Sequence, residues 1–443
     1  MKLRFSHIQI IVAGYLSIVF AGTVLLLLPL ASADGAAAPF RTALFTAVSA
    51  SCVTGLVLRD TATGWSGFGQ AVILVLIQLG GLGFMTVATF LYEAFHRRMG
   101  LRSRELMVES INTTHVGGIM RLAKQIVLLT VLFEGTGALL LLIRFIPRFG
   151  FPRGLWYAVF HSISAFCNAG FDLMGVLEPG SSLTHFSGDF IVNVVLVLLI
   201  TLGGLGFLVW DDLLRCGFRF RHYRLHTKLV LATSAILTLG GALVFLLLEW
   251  DATGAGRSVG ERILTALFAA VTPRTAGFNT VNIPEMSSGS KLLTIFLMIV
   301  GGSPGSTAGG VKTTSLAVIV LYTYASFRGR EMPMVFGRSI SEAAFRKSCS
   351  VLFFNIGIAL VAAIVLCQFQ PLEPVDALFE TVSAIGTVGM TAGITQSLRA
   401  FSSYVVALLM FAGRVGSVSF AVALLEKRSN PPVTYPIEDI TVG

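Results

Sequence analysis

Four tripeptides carry the most chemistry in this sequence: Val53-Thr54-Gly55, Asn168-Ala169-Gly170, Thr275-Ala276-Gly277 and Thr387-Val388-Gly389. Each joins small or β-branched residues to a terminal glycine, and the glycines recur at intervals of 115, 107 and 112 residues. Glycine adopts backbone conformations in which a side chain would collide. Loops of this kind can turn their carbonyls toward an axis, where they replace the hydration shell of an ion. Four of them around one axis would line a pore. No carboxylate lies within the tripeptides, which disfavours a calcium-type acidic ring and suits a weakly hydrated monovalent cation. Asp172, just past the second loop, either concentrates cations at a pore mouth or caps a helix.

A second stretch, Gly301-Gly302-Ser303-Pro304-Gly305-Ser306-Thr307-Ala308-Gly309-Gly310, followed by Val311 and Lys312, lies between two apolar runs. Five glycines and a proline in ten residues cannot hold a helix, so a loop at membrane depth is predicted. Its small residues suit a gate that occupies or vacates a cavity. The resemblance of this stretch to a phosphate-binding P-loop fails, because that motif needs Gly-Lys-Ser/Thr contiguous and Val311 intervenes. Arg414 sits well inside the last apolar run, where an ionisable residue marks a functional site by default. Its predicted acceptors are carbonyls of the 301–310 loop. Glu134, the other deep charge, reads as a helix-packing or interface residue. His161 reads as packing, and Gly80-Gly81-Leu82-Gly83 and Gly203-Gly204-Leu205-Gly206 as close helix contacts.

The elements that position these residues follow from hydropathy. The chain of 443 residues is 54% hydrophobic and only 12% charged, whereas a soluble domain carries about 25% charged residues. A polytopic membrane protein is the consequence. Eight runs approach the roughly 20 apolar residues of a spanning helix: 8–30, 70–95, 122–146, 188–214, 227–249, 291–325 (interrupted), 348–368 and 401–425. The first exceeds a signal-peptide core of roughly 7–15 residues and is read as a retained helix. Between the members of each pair lies a shorter apolar segment: ALFTAVSASCVTGL, AVFHSISAFCNAGF, ALFAAVTPRTAGF or ALFETVSAIGTVGM. The predicted unit is helix, re-entrant pore helix, filter-like loop, helix. It occurs four times, at 1–98, 99–216, 217–330 (with the 301–312 loop) and 331–426, with a tail at 427–443. The fold class expected is all-α, with a pseudo-fourfold axis.

Of the 32 basic residues, 20 fall in the termini and the segments joining one unit to the next, 10 fall in the loops within units, and Lys312 and Arg414 lie at membrane depth. The positive-inside rule then places both termini and the inter-unit segments in the cytoplasm. This distribution explains the net charge of +9 without nucleic acid, and it also allows anionic lipid to dock. Five dispersed cysteines (Cys52, Cys167, Cys216, Cys349, Cys367) form no metal-ligand spacing or disulfide framework. No HExxH or GxSxG motif supports an enzyme. A carrier working by alternating access is the competing class, although such carriers commonly show two-fold repeats.

The filter loops VTGL, NAGF, TAGFN and TVGMT, with GGSPGSTAGGVKTT and an arginine in the last helix, resemble the Trk/Ktr/HKT potassium transporters over essentially the whole chain. The nearest likeness is to the bacterial KtrB-type subunit, since no extra helices precede the first unit. The resemblance implies potassium uptake across the bacterial plasma membrane. It implies a single-glycine filter at Gly55, Gly170, Gly277 and Gly389, a gating loop at Gly301–Lys312 and a gate-facing Arg414. It further implies a homodimer on a cytoplasmic nucleotide-binding, KtrA-like regulatory ring, with K+ as substrate and no covalently bound cofactor. Sodium dependence belongs to some relatives only. The alternatives are a carrier of Na+ or of Na+ with K+, and a Trk-type proton-linked potassium transporter.

Overall fold

The structure, a computed structural model, describes residues 7–83, 119–217 and 219–416. Its chain order is a long helix, a short helix, a loop and a closing helix, four times over. The long helices are His7–Leu27, Ile119–Phe149, Leu225–Leu248 and Glu342–Phe369. Each contains a stretch long and apolar enough to cross a membrane, and many of their large apolar side chains, such as Leu128, Leu139, Ile236 and Phe353, face outward.

The short helices are Phe40–Ser51, Phe151–Phe166, Val259–Val271 and Pro374–Gly386. At 1.5 Å per residue they reach roughly 18–24 Å, short of the ~30 Å hydrocarbon core. Prolines or a capping box start them: Pro39 at the N-cap, Pro152 and Pro374 in the first turn, and the reciprocal Ser258–Glu261 pair. The recurring Ala-x-Phe of the four segments is explained by burial. Phe45, Phe160, Phe268 and Phe379 are each at most 2% exposed, which anchors the short helices in the core.

The closing helices are Gly67–Leu82, Phe190–Leu205, Ser288–Ile299 and Ala400–Val415. Three of the apolar runs were expected to cross as single helices, and here the structure differs. The 70–95 run stops as a helix at Leu82, and the 401–425 run stops at Val415, with 84–95 and 417–425 outside the described residues. The 188–214 run breaks at Gly206 and turns by 95° into Phe207–Cys216. The cause is a glycine in the left-handed half of φ space at the same place in each, with φ of +76° at Gly83, +96° at Gly206 and +96° at Gly416. In the third unit the interruption is the 301–312 loop, after which Thr313–Phe327 continues.

Packing closes the architecture. Each long helix lies against the short helix that follows it. The closing helix of each unit lies against the short helix of the next unit, and the fourth lies against that of the first. Outside the helices, Met334–Val335 pairs antiparallel with Arg338–Ser339 across Phe336-Gly337, both at positive φ, a tight hairpin not foreseen in an all-α chain.

Candidate ion pathway

Each short helix delivers its C-terminus to one tripeptide, and all four tripeptides share one conformation. The first residue is left-handed although not glycine: φ is +56° at Val53, +58° at Asn168, +73° at Thr275 and +51° at Thr387. The glycine is also at positive φ: +99° at Gly55, +69° at Gly170, +77° at Gly277 and +92° at Gly389. The intervening Thr54, Ala169, Ala276 and Val388 are buried. A left-handed residue other than glycine is uncommon, and it opens all four tripeptides, so the surroundings must hold the loop.

A hydroxyl near the end of each short helix does so. The Ser49 hydroxyl accepts from the Gly55 N–H at 3.0 Å, and that of Ser383 accepts from Gly389 N–H at 3.1 Å. In the middle units the hydroxyl donates instead, Ser164 to the Phe171 carbonyl at 2.7 Å and Thr272 to that of Phe278 at 2.6 Å. These four residues were not singled out from sequence, although a Ser or Thr five or six positions before the glycine is visible in every segment.

The glycines face one another's units in a closed order. A Cβ on Gly55 would lie 2.5 Å from the Ala169 carbonyl oxygen, one on Gly170 2.8 Å from that of Ala276, and one on Gly277 2.7 Å from that of Val388. A Cβ on Gly389 would strike the Thr54 carbonyl oxygen, which returns to the first unit. All four glycines line one cavity of about 270 Å³, together with Asp60, Asp172, Asn279 and Thr391. Asp172 lines this cavity and accepts the Met174 N–H at 2.9 Å; the short 3-10 turn that follows has Leu173, not Asp172, at its N-cap, with no side-chain cap.

Helices 288–299 and 313–327 flank the 301–312 loop, whose ends are pinned by a parallel bridge between Val300 and Val311 and by Thr313 N–H donating to the Gly302 carbonyl at 3.0 Å. Inside the loop Ser303, Thr307 and Ala308 are buried. It is tied to the second unit, where Ser303 N–H donates to the Gly204 carbonyl at 3.0 Å, Thr307 N–H to that of Gly203 at 3.3 Å, and Phe207 N–H to the Gly305 carbonyl at 2.7 Å. A Cβ on Gly206 would lie 2.6 Å from the Pro304 carbonyl oxygen, so the 95° break makes room for the loop. Gly309 and Gly310 abut Thr387 and the Gly386 carbonyl of the fourth loop. Ser306 donates to the Ser303 carbonyl, and Lys312 folds back onto the carbonyls of Ala308 at 2.8 Å and Gly309 at 3.3 Å. On another side, Pro304, Gly310 and Lys312 line a second cavity with Gly413 and Gly416.

Arg414 reaches the loop and more. Its Nη1 donates to the Thr307 carbonyl at 2.5 Å, while Nη2 donates to the carbonyls of Gly80 and Gly81. One guanidinium from the fourth unit therefore joins the third unit to the first. Gly80, Gly203 and Gly413 occupy matching positions, since a Cβ on each would strike the carbonyl at the end of its own short helix (Ser51, Phe166, Ile385). Arg414 thus stands where Gly81 and Gly204 stand in their units, a correspondence that the motif GRVG conceals.

Three buried polar residues lie behind the loops. Glu134 accepts from Gln78 at 3.2 Å and from the Cys167 thiol at 3.7 Å, which puts the carboxylate against the residue before Asn168. His161, read as packing, accepts the Leu173 N–H at 3.3 Å through Nε2. At the equivalent point of the fourth segment Glu380 accepts from the hydroxyls of Thr391, at 2.9 Å, and Thr395. Both tie the chain leaving the tripeptide to the short helix entering it.

A mostly helical membrane chain whose four short-helix loops meet beside an interrupted helix has the construction of an ion channel or transporter. The profile of the TrkH family, described as a cation transport protein, matches residues 5–430, and the chain belongs to that family. It is 38% identical to the potassium/sodium uptake protein NtpJ of Enterococcus hirae, over 99% of this chain and 98% of that protein. It is 36% identical to the Ktr system potassium uptake protein B of Bacillus subtilis, over 99% and 97%. The fold matches the crystal structure of the potassium transporter TrkH from Vibrio parahaemolyticus with a TM-score of 0.76, over 96% of this chain and 86% of that one, at 18% identity.

Proposed function

We propose that this protein takes up potassium through a filter made by the four tripeptides. The closed order of contacts, from Gly55 through Gly170 and Gly277 to Gly389 and back, carries the reading, because it holds four sets of neutral carbonyls around one point. The fully buried hydroxyls of Thr54 and Thr387 have no partner among the described residues, which leaves them free for an ion or its water. The short helices point their C-termini at this point, and the partial negative charge there favours cations. The relatives named as potassium or potassium/sodium uptake proteins support the substrate. Uptake of isotopic potassium by cells lacking their own potassium transporters, with and without sodium, tests it. No potassium accumulation above the empty cell would reject the reading, and the sodium arm decides whether Na+ is required, carried or irrelevant.

The 301–312 loop is the proposed gate. Deleting Pro304–Thr307 while leaving the Val300–Val311 bridge is expected to raise potassium flux severalfold and to weaken any cytoplasmic control. Unchanged flux in folded protein would reduce the loop to a static kink.

Asp172 is the proposed collector at the outer mouth. Burial, with the charge of Asp60 nearby, pushes its carboxyl up to about 6. It is ionised at an external pH of about 7 and mostly protonated near 5. Uptake at low potassium should therefore fall over that interval as the medium is acidified, and Asp172→Asn should flatten the profile at its acid-side level. An identical pH profile in the variant would show that another group titrates.

The charge distribution supports a plasma-membrane location with both termini cytoplasmic, and units at 1–98, 99–216, 217–330 and 331–426. The likeness to proteins of a Ktr system supports a homodimer regulated by a nucleotide-binding ring on the basic cytoplasmic face. Co-purification of the intact chain with such a subunit tests that assembly.

A further inference from the structure

By its place in the sequence Arg274 belongs with the basic residues of the loops within units, but in the structure it is buried. It is the residue immediately before Thr275, where the other three loops carry Cys52, Cys167 and Gly386. It is only 7% exposed. Its side chain turns back onto the long helix 225–248. There Nη1 donates to the Thr238 hydroxyl at 2.9 Å and to the Ser234 carbonyl at 3.3 Å, and Nη2 donates to the Ser234 hydroxyl at 2.9 Å. Nε has no partner, and among the described residues no carboxylate forms an ion pair with it. The guanidinium is thus held by neutral acceptors alone.

A buried charge that could be anchored equally well by an uncharged side chain is costly. Neutral acceptors also leave its field intact, whereas an acidic partner would cancel it. One peptide away is a loop that, on the function proposed above, binds a cation. We propose that Arg274 is a positioning residue that sets the affinity of the filter through its charge, which helix 225–248 holds in place and which weakens cation binding at the third loop. A pore conducts only if its ion is held loosely enough to leave, and four sets of carbonyls backed by helix C-termini would otherwise hold a cation tightly. A unit charge about 10 Å from the ion, at an effective dielectric near 20, changes occupancy on the order of tenfold.

Two substitutions separate charge from geometry. Arg274→Gln keeps hydrogen-bond donors and removes the charge. Thr238→Val keeps the charge and removes one of its anchors. In potassium uptake against external potassium, R274Q is expected to lower the half-saturating concentration by roughly tenfold and to lower the maximal rate, while R274K and T238V stay near wild type. Half-saturation in R274Q equal to wild type would overturn the proposal, as would an equal shift in T238V, which would assign the effect to loop geometry. Loss of uptake in R274Q and R274K together, with a parallel fall in melting temperature, would leave a structural brace and also overturn it. The wild-type measurement keeps the two readings apart, since failure of wild type to carry potassium rejects the filter, whereas a conducting wild type with an indifferent R274Q rejects only the role of Arg274.

Discussion

Serine in place of Gly389 or Gly55 is expected to reduce potassium uptake by on the order of tenfold or more, with membrane insertion and helix content retained. The geometry predicts an order among the four glycines. Gly55 and Gly389 have φ of +99° and +92°, beyond the narrow left-handed well open to other residues. Gly170 and Gly277, at +69° and +77°, lie nearer that well. Contact ranks them the same way at the extremes. A Cβ on Gly389 overlaps the Thr54 carbonyl oxygen outright, whereas one on Gly170 stands 2.8 Å from that of Ala276. The Gly170 variant should therefore keep the most uptake and the Gly389 variant the least. Where uptake survives, discrimination against sodium should relax, because a displaced carbonyl changes the size of the ring. Uptake of potassium and sodium by all four variants, measured with membrane abundance, checks this. Wild-type affinity and selectivity throughout would exclude these glycines from the ion path.

The repeating parts of this arrangement were legible because hydropathy and glycine spacing are one-dimensional signals. The short apolar segments, their terminal glycines and the loop that interrupts the sixth run could all be read without coordinates, as could acceptors on that loop for Arg414. What escaped depends on which unit faces which. Gly80-Gly81 read as a helix-packing patch, yet its carbonyls receive Arg414, a contact 334 residues apart in sequence. Gly206 read as the interior of a span, because nothing in GGLG distinguishes a packed glycine from one at φ +96°. Arg274 read as a loop charge because a count of basic residues per segment does not register which way a side chain turns. The position shared by Thr46, His161, Ala269 and Glu380 was visible in the aligned segments, but its chemistry differs in every unit. Only the fold shows that His161 and Glu380 both bind the segment just past their loop's glycine, His161 through a backbone N–H and Glu380 through two threonine hydroxyls.

Arg414→Ala should give the largest gain of transport. The guanidinium donates to the loop at Thr307 and to the first unit at Gly80 and Gly81, and no ion pair with a carboxylate forms among the described residues. Its removal frees the loop from the closing helix of the fourth unit. It also removes a positive charge from the proposed path, worth roughly 2 kcal/mol against a cation about 8 Å away at an effective dielectric near 20. If that barrier limits flux, the rate should rise by tenfold or more. Lysine keeps the charge but offers a single ammonium in place of the planar fork. It cannot hold Thr307 and Gly80 in the same way, so Arg414→Lys should be intermediate. Bracing makes the opposite forecast. A guanidinium that joins three units could serve cohesion alone, and alanine would then remove a donor from each of three carbonyls, lower the melting temperature and reduce flux, with lysine close to wild type. Flux and thermal stability measured on both variants decide between them. Because the two readings differ in the sign of the flux change, a less stable and less active alanine variant would end the gating role for Arg414.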